Sequence, residues 1–394
     1  PLSDIINSVN IRTLMISIAD IVDTLANDFL SWRTLSDVRP HLRDGRPIYV
    51  TGNAAVTFFV RHKGREKILK CYTRDNPHLA TIYGDAFRPR ELRVFNMMNR
   101  SDFVDCLLTD RIEGITLDRA VCTATPDGLA ALADAFDRMA VGLLDREYAH
   151  GDLKPENIIV TPDGDMRAID WDAAFTPELA GNPAPETGTA AYQHPLRTNE
   201  LFDKHIDDYS IAMLSTMLHA AAVDPATAEH YRLHHEFAIN PRDIARGELD
   251  ELDRVTDIFA ARGMAVQYRL ARMLLSPIPQ LFDLERVISF AIRDDKPASD
   301  TAVAEGLNGL WGCRSVSGWS VPPLYDAAFD PSDGIILASL DGYSHFLSLD
   351  GRTLRSFGRG DVVKPFRNGC AAVRRKDGAC LTITVDSLGI KVPV

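Results

Sequence analysis

The sequence lacks three features that often indicate a function directly: an excess of basic residues, a long apolar run and closely spaced cysteines. Its 394 residues include 43 Lys and Arg against 55 Asp and Glu, a net charge of −12, which argues against a nucleic-acid partner. No apolar run reaches the roughly 20 residues of a membrane span. The six cysteines form no CxxC pair, which predicts reduced, buried thiols rather than disulfides or a zinc site. These absences predict a cytoplasmic protein without a membrane partner.

The N-terminal residues carry apolar side chains at helical spacing. Ile18, Ile21 and Leu25 are three and four residues apart, which predicts one or two helices in an extension over residues 1–38. Acidic residues such as Asp20 interrupt this stretch, so it does not resemble a signal peptide. We expect the helices to pack on the rest of the protein, and their apolar faces are also compatible with a homodimer.

Strand-forming residues dominate the next part of the chain, residues 39–113. Four segments there are rich in β-branched and aromatic residues: 56–59, 68–72, 92–95 and 103–109. Such composition predicts strands.

Helical patterns dominate residues 114–298. An apolar stripe runs from Pro126 to Glu147, with Thr125 as a candidate N-cap, and this pattern predicts a long helix. Further helices are predicted from Ile206 to Arg293. A β-rich region followed by a helical one predicts an α+β fold with two lobes and a cleft between them.

The last ninety residues change pattern again, with short apolar runs between glycine-containing turns. Asp341-Gly342 and Asp377-Gly378 lie 36 positions apart in loosely similar segments. This spacing predicts repeated β-hairpins that stack on one another. We therefore expect an appended all-β domain over residues 305–394.

One segment carries a pattern suited to phosphoryl transfer: His-Gly-Asp-Leu-Lys-Pro-Glu-Asn at 150–157, followed by Ile-Asp-Trp-Asp at 169–172. Transfer from ATP needs a carboxylate at the acceptor hydroxyl, a cation at the phosphate and oxygen ligands for Mg²⁺. The segment offers a residue for each role: Asp152 for the acceptor, Lys154 for the γ-phosphate, and Asn157 and Asp170 for the metal. It therefore predicts ATP and Mg²⁺ as cofactors.

This segment resembles the HxDLKxxN catalytic loop of the eukaryotic-like Ser/Thr protein kinase family, and the resemblance extends over roughly residues 45–295. Residues 188–195, Gly-Thr-Ala-Ala-Tyr-Gln-His-Pro, resemble the family's GTxxYxxPE substrate-side segment. Residues 207–212 resemble the start of its long buried helix, in which Asp207 braces the catalytic-loop backbone. The resemblance implies a two-lobed kinase fold, Asp152 as catalytic carboxylate and a protein substrate.

The same resemblance implies a nucleotide-binding role for residues of the β-rich lobe. Lys70 resembles the strand lysine that pairs with the α- and β-phosphates. Asp110 and Ile112 fall in the hinge, where backbone groups meet adenine. Gly52 belongs to a glycine loop that has one glycine where the family commonly has three. Glu91, 21 residues after Lys70, is the candidate helix glutamate that holds this lysine.

Several positions depart from the family pattern. The segment around Glu91 alternates like a strand, whereas residues 76–87 look like the helix. Ile68 stands two residues before Lys70, where the family usually has alanine. Gly151 replaces the arginine often found before the catalytic aspartate, which argues against control by a phosphorylated activation loop.

Two alternative functions stay open. The His-Gly-Asp and Ile-Asp-Trp-Asp details also resemble aminoglycoside and choline kinases, which phosphorylate small molecules, although residues 188–195 favour a protein acceptor. The poor glycine loop and Ile68 favour a pseudokinase that acts as a scaffold.

The C-terminal region resembles WG-type β repeats. Leu310-Trp311-Gly312 and Val321-Pro-Pro-Leu-Tyr-Asp326 are close to the repeat's WG and VxPPxYD signatures. The resemblance implies a module that binds a protein partner or the substrate. A β cap that stabilises the kinase body is the alternative.

Overall fold

The computed structural model describes residues 16–27, 31–52, 54–292, 300–306 and 308–389. Helices account for 32% and strands for 29% of the described residues, so the fold mixes α and β structure with a β-rich region, as expected. The chain divides into two compact units, Pro1–Glu113 and Gly114–Val394. No helix in the described ranges is both long enough and apolar enough to cross a membrane.

The first unit is built on an antiparallel sheet. Its strands are β1 (Val38–Pro40), β2 (Leu42–Arg43), β3 (Arg46–Pro47), β4 (Tyr49–Thr51), β5 (Ala55–His62), β6 (Arg65–Tyr72), β7 (Phe87–Phe95) and β8 (Ser101–Asp110), and its helices are α1 (Ile18–Leu25) and α2 (Leu79–Tyr83). The sheet order is β1-β5-β6-β8-β7, and β4 also pairs with β5, whereas β2 and β3 form a separate hairpin. The four predicted strands correspond to β5, β6, β7 and β8.

Helix α1 covers one face of this sheet. The Ser17 hydroxyl accepts a hydrogen bond from the Asp20 amide, and the Asp20 carboxylate accepts one from the Ser17 amide; together they form a capping box at the start of the helix. Ile21 and Leu25 are fully buried against Val56 and other apolar residues of the sheet. The predicted packing of an N-terminal helix is therefore confirmed for α1, whereas residues 1–15 lie outside the described part.

The helix predicted over residues 76–87 is much shorter. Helix α2 has 5 residues, and a 3-10 turn at Gly84–Ala86 follows it. Gly84 has a φ of 51°, a left-handed value that stops an α-helix. Phe87 already begins β7, so most of the second half of the predicted helix is absent.

The second unit begins with a helical part. Its helices are α3 (Leu117–Thr123), α4 (Pro126–Leu144), α5 (Asp208–Val223), α6 (Pro225–His234), α7 (Pro241–Ala245), α8 (Asp250–Arg262), α9 (Ala265–Met273) and α10 (Leu284–Ser289). Thr125 caps α4 through the amide of Gly128, as predicted. Helix α5 is buried along residues 208–221, so it forms the centre of this part. A small sheet joins β9 (Ile115–Thr116), β10 (Ile158–Val160) and β11 (Met166–Ala168).

The C-terminal strands form three antiparallel sheets, with the predicted Asp-Gly turns at hairpin tips. The sheets are β12 (Ala302–Glu305), β13 (Trp311–Ser315) and β14 (Gly318–Tyr325); β15 (Ala327–Ala328), β16 (Ile335–Leu340), β17 (Tyr343–Ser348) and β18 (Thr353–Phe357); and β19 (Val362–Val363), β20 (Cys370–Arg374) and β21 (Cys380–Thr384). Gly342 and Gly378 have positive φ values of 78° and 90°, which suit such turns.

These strands pack directly on the helical part of the same unit. Buried residues of β13 and β14, such as Cys313 and Val321, belong to the same apolar core as the helices. The Tyr325 hydroxyl donates to the Gly263 carbonyl at 3.3 Å, and Arg269 donates to the Leu324 carbonyl at 2.9 Å. The first two sheets therefore share a core with the helical part.

The cysteines agree only in part with the expectation of buried thiols. All six are free, and Cys71, Cys106 and Cys313 are buried. Cys370 and Cys380 are exposed on β20 and β21, and Cys122 is partly exposed. The prediction of burial is wrong for these three.

Candidate active site

The segment that follows α4 is held in an unusual backbone conformation. Gly151 has a φ of 85°, and a Cβ there would lie 2.2 Å from the carbonyl oxygen of Ala173. Ala149 and Phe175 exchange backbone hydrogen bonds of 3.1 and 2.9 Å, which hold the two segments at this close approach. Glycine is therefore required before Asp152.

Asp207 braces this loop from the N-terminus of α5. Its carboxylate accepts hydrogen bonds from the backbone amides of His150 and of Gly151, the latter at 2.8 Å. Asp207 is 3% exposed, so these amides compensate the cost of burying its charge. The contact implied by the sequence resemblance is present.

Asp152 receives three side-chain or backbone donors. The Thr189 amide donates to its Oδ1 at 2.6 Å, and Lys154 Nζ lies 3.0 Å from its Oδ2. Asn157 Nδ2 donates to the Asp152 backbone carbonyl at 2.9 Å and to its Oδ2 at 3.2 Å. Since the Asp152 side chain is only 14% exposed, these donors fix the carboxylate at the surface of the loop.

Thr189 also contacts Lys154. The Lys154 ammonium donates to the Thr189 hydroxyl at 2.9 Å, so this threonine touches both the candidate catalytic carboxylate and its neighbouring cation. Gly188, with a φ of 75°, allows the approach, because a Cβ there would lie 2.5 Å from the Gly151 carbonyl oxygen. The sequence placed Thr189 in the substrate-side segment without a role, and the Gly-Thr pair was the available signal.

The candidate metal ligands lie at one end of the small sheet, Asn157 just before β10 and Asp170 just after β11. Ile158 pairs with Ala168, and the Ile169 amide donates to the Asn157 carbonyl at 2.8 Å, so Asp170 follows directly beside Asn157. Asp170 has a φ of 64°, a left-handed conformation that aspartate tolerates.

The chemistry of these ligands fits Mg²⁺. The Asn157 amide nitrogen is engaged with Asp152, which orients the side chain so that its oxygen is the atom left to coordinate a cation. Oxygen atoms of one carboxylate and one amide match the hard-ligand preference of Mg²⁺. Asn157 and Asp170 are therefore the residues that would hold the metal.

Sequence reasoning missed two side chains beneath the loop. Arg197 donates to the carbonyls of Gly151 and Ile206, each at 3.1 Å, and Gln193 donates to the Ser210 hydroxyl at 3.1 Å. Burial lowers the pKa of Arg197, although the carboxylates of Asp207 and Asp152 oppose this effect. No local sequence signal distinguishes Arg197 from a surface arginine.

The predicted nucleotide-binding residues lie in the first unit. Lys70 is on β6, with its ammonium 5.5 Å from the centre of the Tyr72 ring. Asp110 ends β8, and its carboxylate lies 2.8 Å from Lys67 Nζ, which holds the pKa of Asp110 below its usual value. Ile112 is partly buried in the irregular segment after β8.

The predicted glycine loop corresponds to the turn between β4 and β5. The Gly52 amide donates to the Ala55 carbonyl at 2.9 Å, and a Cβ at Gly52 would lie at an ordinary 3.6 Å from the same oxygen. This turn therefore does not require glycine at position 52, and Asn53 lies outside the described residues.

Glu91 is not on a helix, and its candidate role beside Lys70 is wrong. It lies on β7, is 1% exposed, and accepts hydrogen bonds from the amides of Thr34 and Leu35 at 2.7 Å each. It packs near Cys106, whose pKa is raised by burial, by the Cys71 thiol and by the charge of Glu91. Cys106 and Lys70 belong to opposite faces of the sheet, since Cys106 contacts Cys71, the neighbour of Lys70 on β6.

The hydrogen bonds also fix the charge of Glu91. Burial acts to raise the pKa of its carboxyl, but the donors from Thr34 and Leu35 outweigh burial and hold the pKa below its usual value. The ionised carboxylate of Glu91 therefore links β7 to the segment that precedes β1.

Comparison with known proteins adds no relative. Neither the models of known protein families nor the curated proteins include a match to this chain.

Proposed function

We propose that this chain is an ATP- and Mg²⁺-dependent kinase that phosphorylates Ser or Thr hydroxyls of a protein, with Asp152 as the catalytic carboxylate. The observation that carries the proposal is the cluster of Asp152, Lys154 and Asn157 on a loop braced by Asp207, with Thr189 of the segment 188–195 in contact with it. The antiparallel sheet of the first unit and the helices of the second support assigning them to the two lobes of a protein-kinase-like fold.

The chain's own residues have distinct roles in this proposal. When bound, Mg·ATP supplies the phosphoryl group and the electrophilic phosphorus. Asp152 accepts a hydrogen bond from the acceptor hydroxyl, orients its oxygen and takes its proton. Lys154 places a positive charge next to the reacting oxygen, where it stabilises the negative charge of the γ-phosphoryl group during transfer. Asn157 and Asp170 hold the metal, and Lys70 binds the α- and β-phosphates.

The position of Thr189 favours a protein acceptor over a small alcohol. Residues 188–195 are anchored at two points. The Thr189 amide donates to the Asp152 carboxylate. The Ser210 hydroxyl of α5 accepts a hydrogen bond from the Gln193 side chain and donates one to the Tyr192 carbonyl. An anchored segment beside Asp152 provides a surface for the backbone around a Ser or Thr, which a small alcohol does not need.

A specific observation favours the pseudokinase as second candidate. Glu91 is committed to Thr34 and Leu35, and the short helix α2 contains no glutamate. Neither predicted position therefore supplies the helix glutamate that active kinases place beside this lysine. A scaffold that binds nucleotide without transferring phosphate does not need that glutamate.

The test is incubation of the full chain with γ-labelled ATP and Mg²⁺, with a mixture of generic proteins or with small alcohols as acceptors. Three forms are compared: wild type, Asp152→Asn, and Asp163→Asn, which changes an exposed turn carboxylate. We expect label on protein with wild type and with Asp163→Asn, and a loss of about 10³-fold or more with Asp152→Asn.

Each other outcome identifies a different function. Transfer to small alcohols alone supports the small-molecule kinase. Binding of Mg·ATP without transfer, or no binding at all, supports the pseudokinase. Equal transfer by wild type and Asp152→Asn contradicts the role of Asp152.

A further inference from the structure

Three side chains far apart in the sequence meet at the surface of the second unit. Asp118 and Cys122 lie on α3, and His235 directly follows α6. One ligand atom from each, a carboxylate oxygen, Sγ and a ring nitrogen, lies within 4.8 Å of the others, and no other such group of three occurs in the ranges that the structure describes.

The separations suit a tetrahedral metal ion. Cys122 Sγ lies 3.7 Å from His235 Nδ1, and Asp118 Oδ1 lies 2.9 Å from the same nitrogen. A sulfur about 2.3 Å and a nitrogen about 2.0 Å from one zinc ion stand about 3.5 Å apart in tetrahedral geometry. The sulfur–nitrogen distance of 3.7 Å is within about 0.2 Å of this value, and the Asp118 oxygen needs to move only about half an ångström from the nitrogen.

The backbone fixes all three residues. Asp118 and Cys122 are one helical turn apart, so their side chains share a face of α3. His235 has a left-handed conformation with a φ of 54°, and its amide donates to the Tyr231 carbonyl at 2.8 Å. This conformation ends α6 and turns the imidazole toward α3.

A buried tyrosine orients the carboxylate. The Tyr231 hydroxyl donates to Asp118 Oδ1 at 3.0 Å, and the Tyr231 side chain is fully buried. Metal-binding carboxylates usually have such an outer hydrogen-bond partner, which holds the ligand in place. The Asp118 side chain is 21% exposed and that of His235 is 60% exposed, so an ion can reach the cluster from solvent.

We propose that Asp118, Cys122 and His235 bind Zn²⁺, with a water molecule in the fourth position. One thiolate, one imidazole and one carboxylate are a ligand set that zinc accepts, whereas Mg²⁺ and Ca²⁺ prefer oxygen alone. Binding releases the thiol proton of Cys122, and the neutral imidazole binds through Nδ1 with its proton on Nε2, so the metal replaces the Asp118–His235 hydrogen bond. The ion links α3 to the end of α6, and the site is independent of the proposed phosphoryl transfer.

The test is titration of the metal-free full chain with Co²⁺, which takes zinc sites and reports a thiolate ligand by its charge-transfer absorption in the near ultraviolet. We expect wild type to bind one equivalent with this absorption, and equimolar Zn²⁺ to remove it. Cys122→Ser should lose the absorption, and His235→Ala should weaken Co²⁺ binding by about tenfold or more.

The control is the double variant Cys370→Ser/Cys380→Ser, which removes the two exposed thiols outside the cluster and should keep the absorption. His235 is exposed, so His235→Ala remains informative if Cys122→Ser fails to fold. Lack of the absorption in wild type, its persistence in Cys122→Ser, or its loss in the double variant overturns the proposal.

Discussion

The backbone amide of Thr189 donates a 2.6 Å hydrogen bond to the carboxylate of Asp152, and the hydroxyl of the same residue accepts one from Lys154 at 2.9 Å. One residue thus fixes two groups that sit two positions apart on the loop. The backbone contact survives any side-chain substitution, whereas the contact with Lys154 depends on the hydroxyl. Substitutions at Thr189 therefore separate the position of Lys154 from that of Asp152.

We expect Thr189→Val to reduce phosphoryl transfer about tenfold, because it removes a hydrogen bond to a charged group worth about 1.5 kcal/mol. Thr189→Ser keeps the hydroxyl and should retain near wild-type transfer. The affinity for Mg·ATP should stay the same in both variants. Initial rates with labelled ATP and the affinity by calorimetry measure the two effects, and equal rates for the Val and Ser variants would show that the hydroxyl is not needed.

Gly151→Ala should destabilise the protein much more than the same change at Gly164. The two glycines have φ values of 85° and 86°, but a Cβ at Gly164 meets nothing within 4 Å. Gly164→Ala therefore has only the conformational cost, about 1 kcal/mol. Gly151→Ala adds the clash with the Ala173 carbonyl, for a total of about 3 kcal/mol or more. Urea unfolding measures both free energies, and similar losses would contradict the close approach.

The strand and helix patterns were sufficient to predict much of the fold. The strands rich in β-branched residues and the helix that starts at Thr125-Pro126 depend on interactions between residues close in sequence. Such interactions do not depend on the tertiary structure, so the sequence alone indicates them. The loop from Asp152 to Asn157 was recognisable because its polar residues are close in sequence.

Glu91 shows what local patterns cannot provide. The pairing of β7 with β8 shifts register between Arg88 and Leu92, and Arg90 has a φ of 51°. This irregularity buries Glu91 beside Leu92, although strict alternation would put them on opposite faces. Its partners, Thr34 and Leu35, are more than 50 residues away in the sequence. Contacts of this kind form only when the chain packs, so local sequence patterns do not predict them.

The hydrogen bonds that the buried Glu91 carboxylate accepts from Thr34 and Leu35 lead to a testable prediction. Glu91→Ala should lower the free energy of unfolding by about 3 kcal/mol, because it leaves the amides of Thr34 and Leu35 without their acceptor. Mg·ATP affinity per folded molecule should change less than about twofold, since Glu91 and Lys70 lie on opposite faces. Chemical unfolding and calorimetric titration measure the two quantities.

Glu66→Ala is the matched control for Glu91→Ala. Glu66 is a strand glutamate whose side chain is 40% exposed and pairs with Arg61 at 2.9 Å, so its loss should leave the free energy of unfolding nearly unchanged. A tenfold fall in Mg·ATP affinity for Glu91→Ala, without loss of stability, would instead support the role of Glu91 as the partner of Lys70.

His345 makes the packing between the C-terminal strands and α8 sensitive to acid. It is fully buried on β17, its Nδ1 contacts the Ser356 hydroxyl at 2.9 Å, and a Cβ on Gly263 at the end of α8 would lie 3.0 Å from that nitrogen. Burial lowers the pKa of His345 to about 4.

The unfolded chain takes up the His345 proton near its ordinary pKa of about 6.5, whereas the folded protein takes it up only near pH 4. The contribution of His345 to the free energy of unfolding is therefore fully present above about pH 6.5. As the pH falls toward 4, the free energy of unfolding decreases by at most about 3 kcal/mol. The His345→Gln variant has no titratable group at this position. The free energy of unfolding of wild type, relative to that of the variant, should therefore fall as the pH decreases from 6.5 to 4. Urea unfolding at several pH values measures it. His234→Gln, at an exposed position, should leave the pH dependence unchanged, and a constant difference for His345→Gln would show that the histidine is already charged in the folded protein.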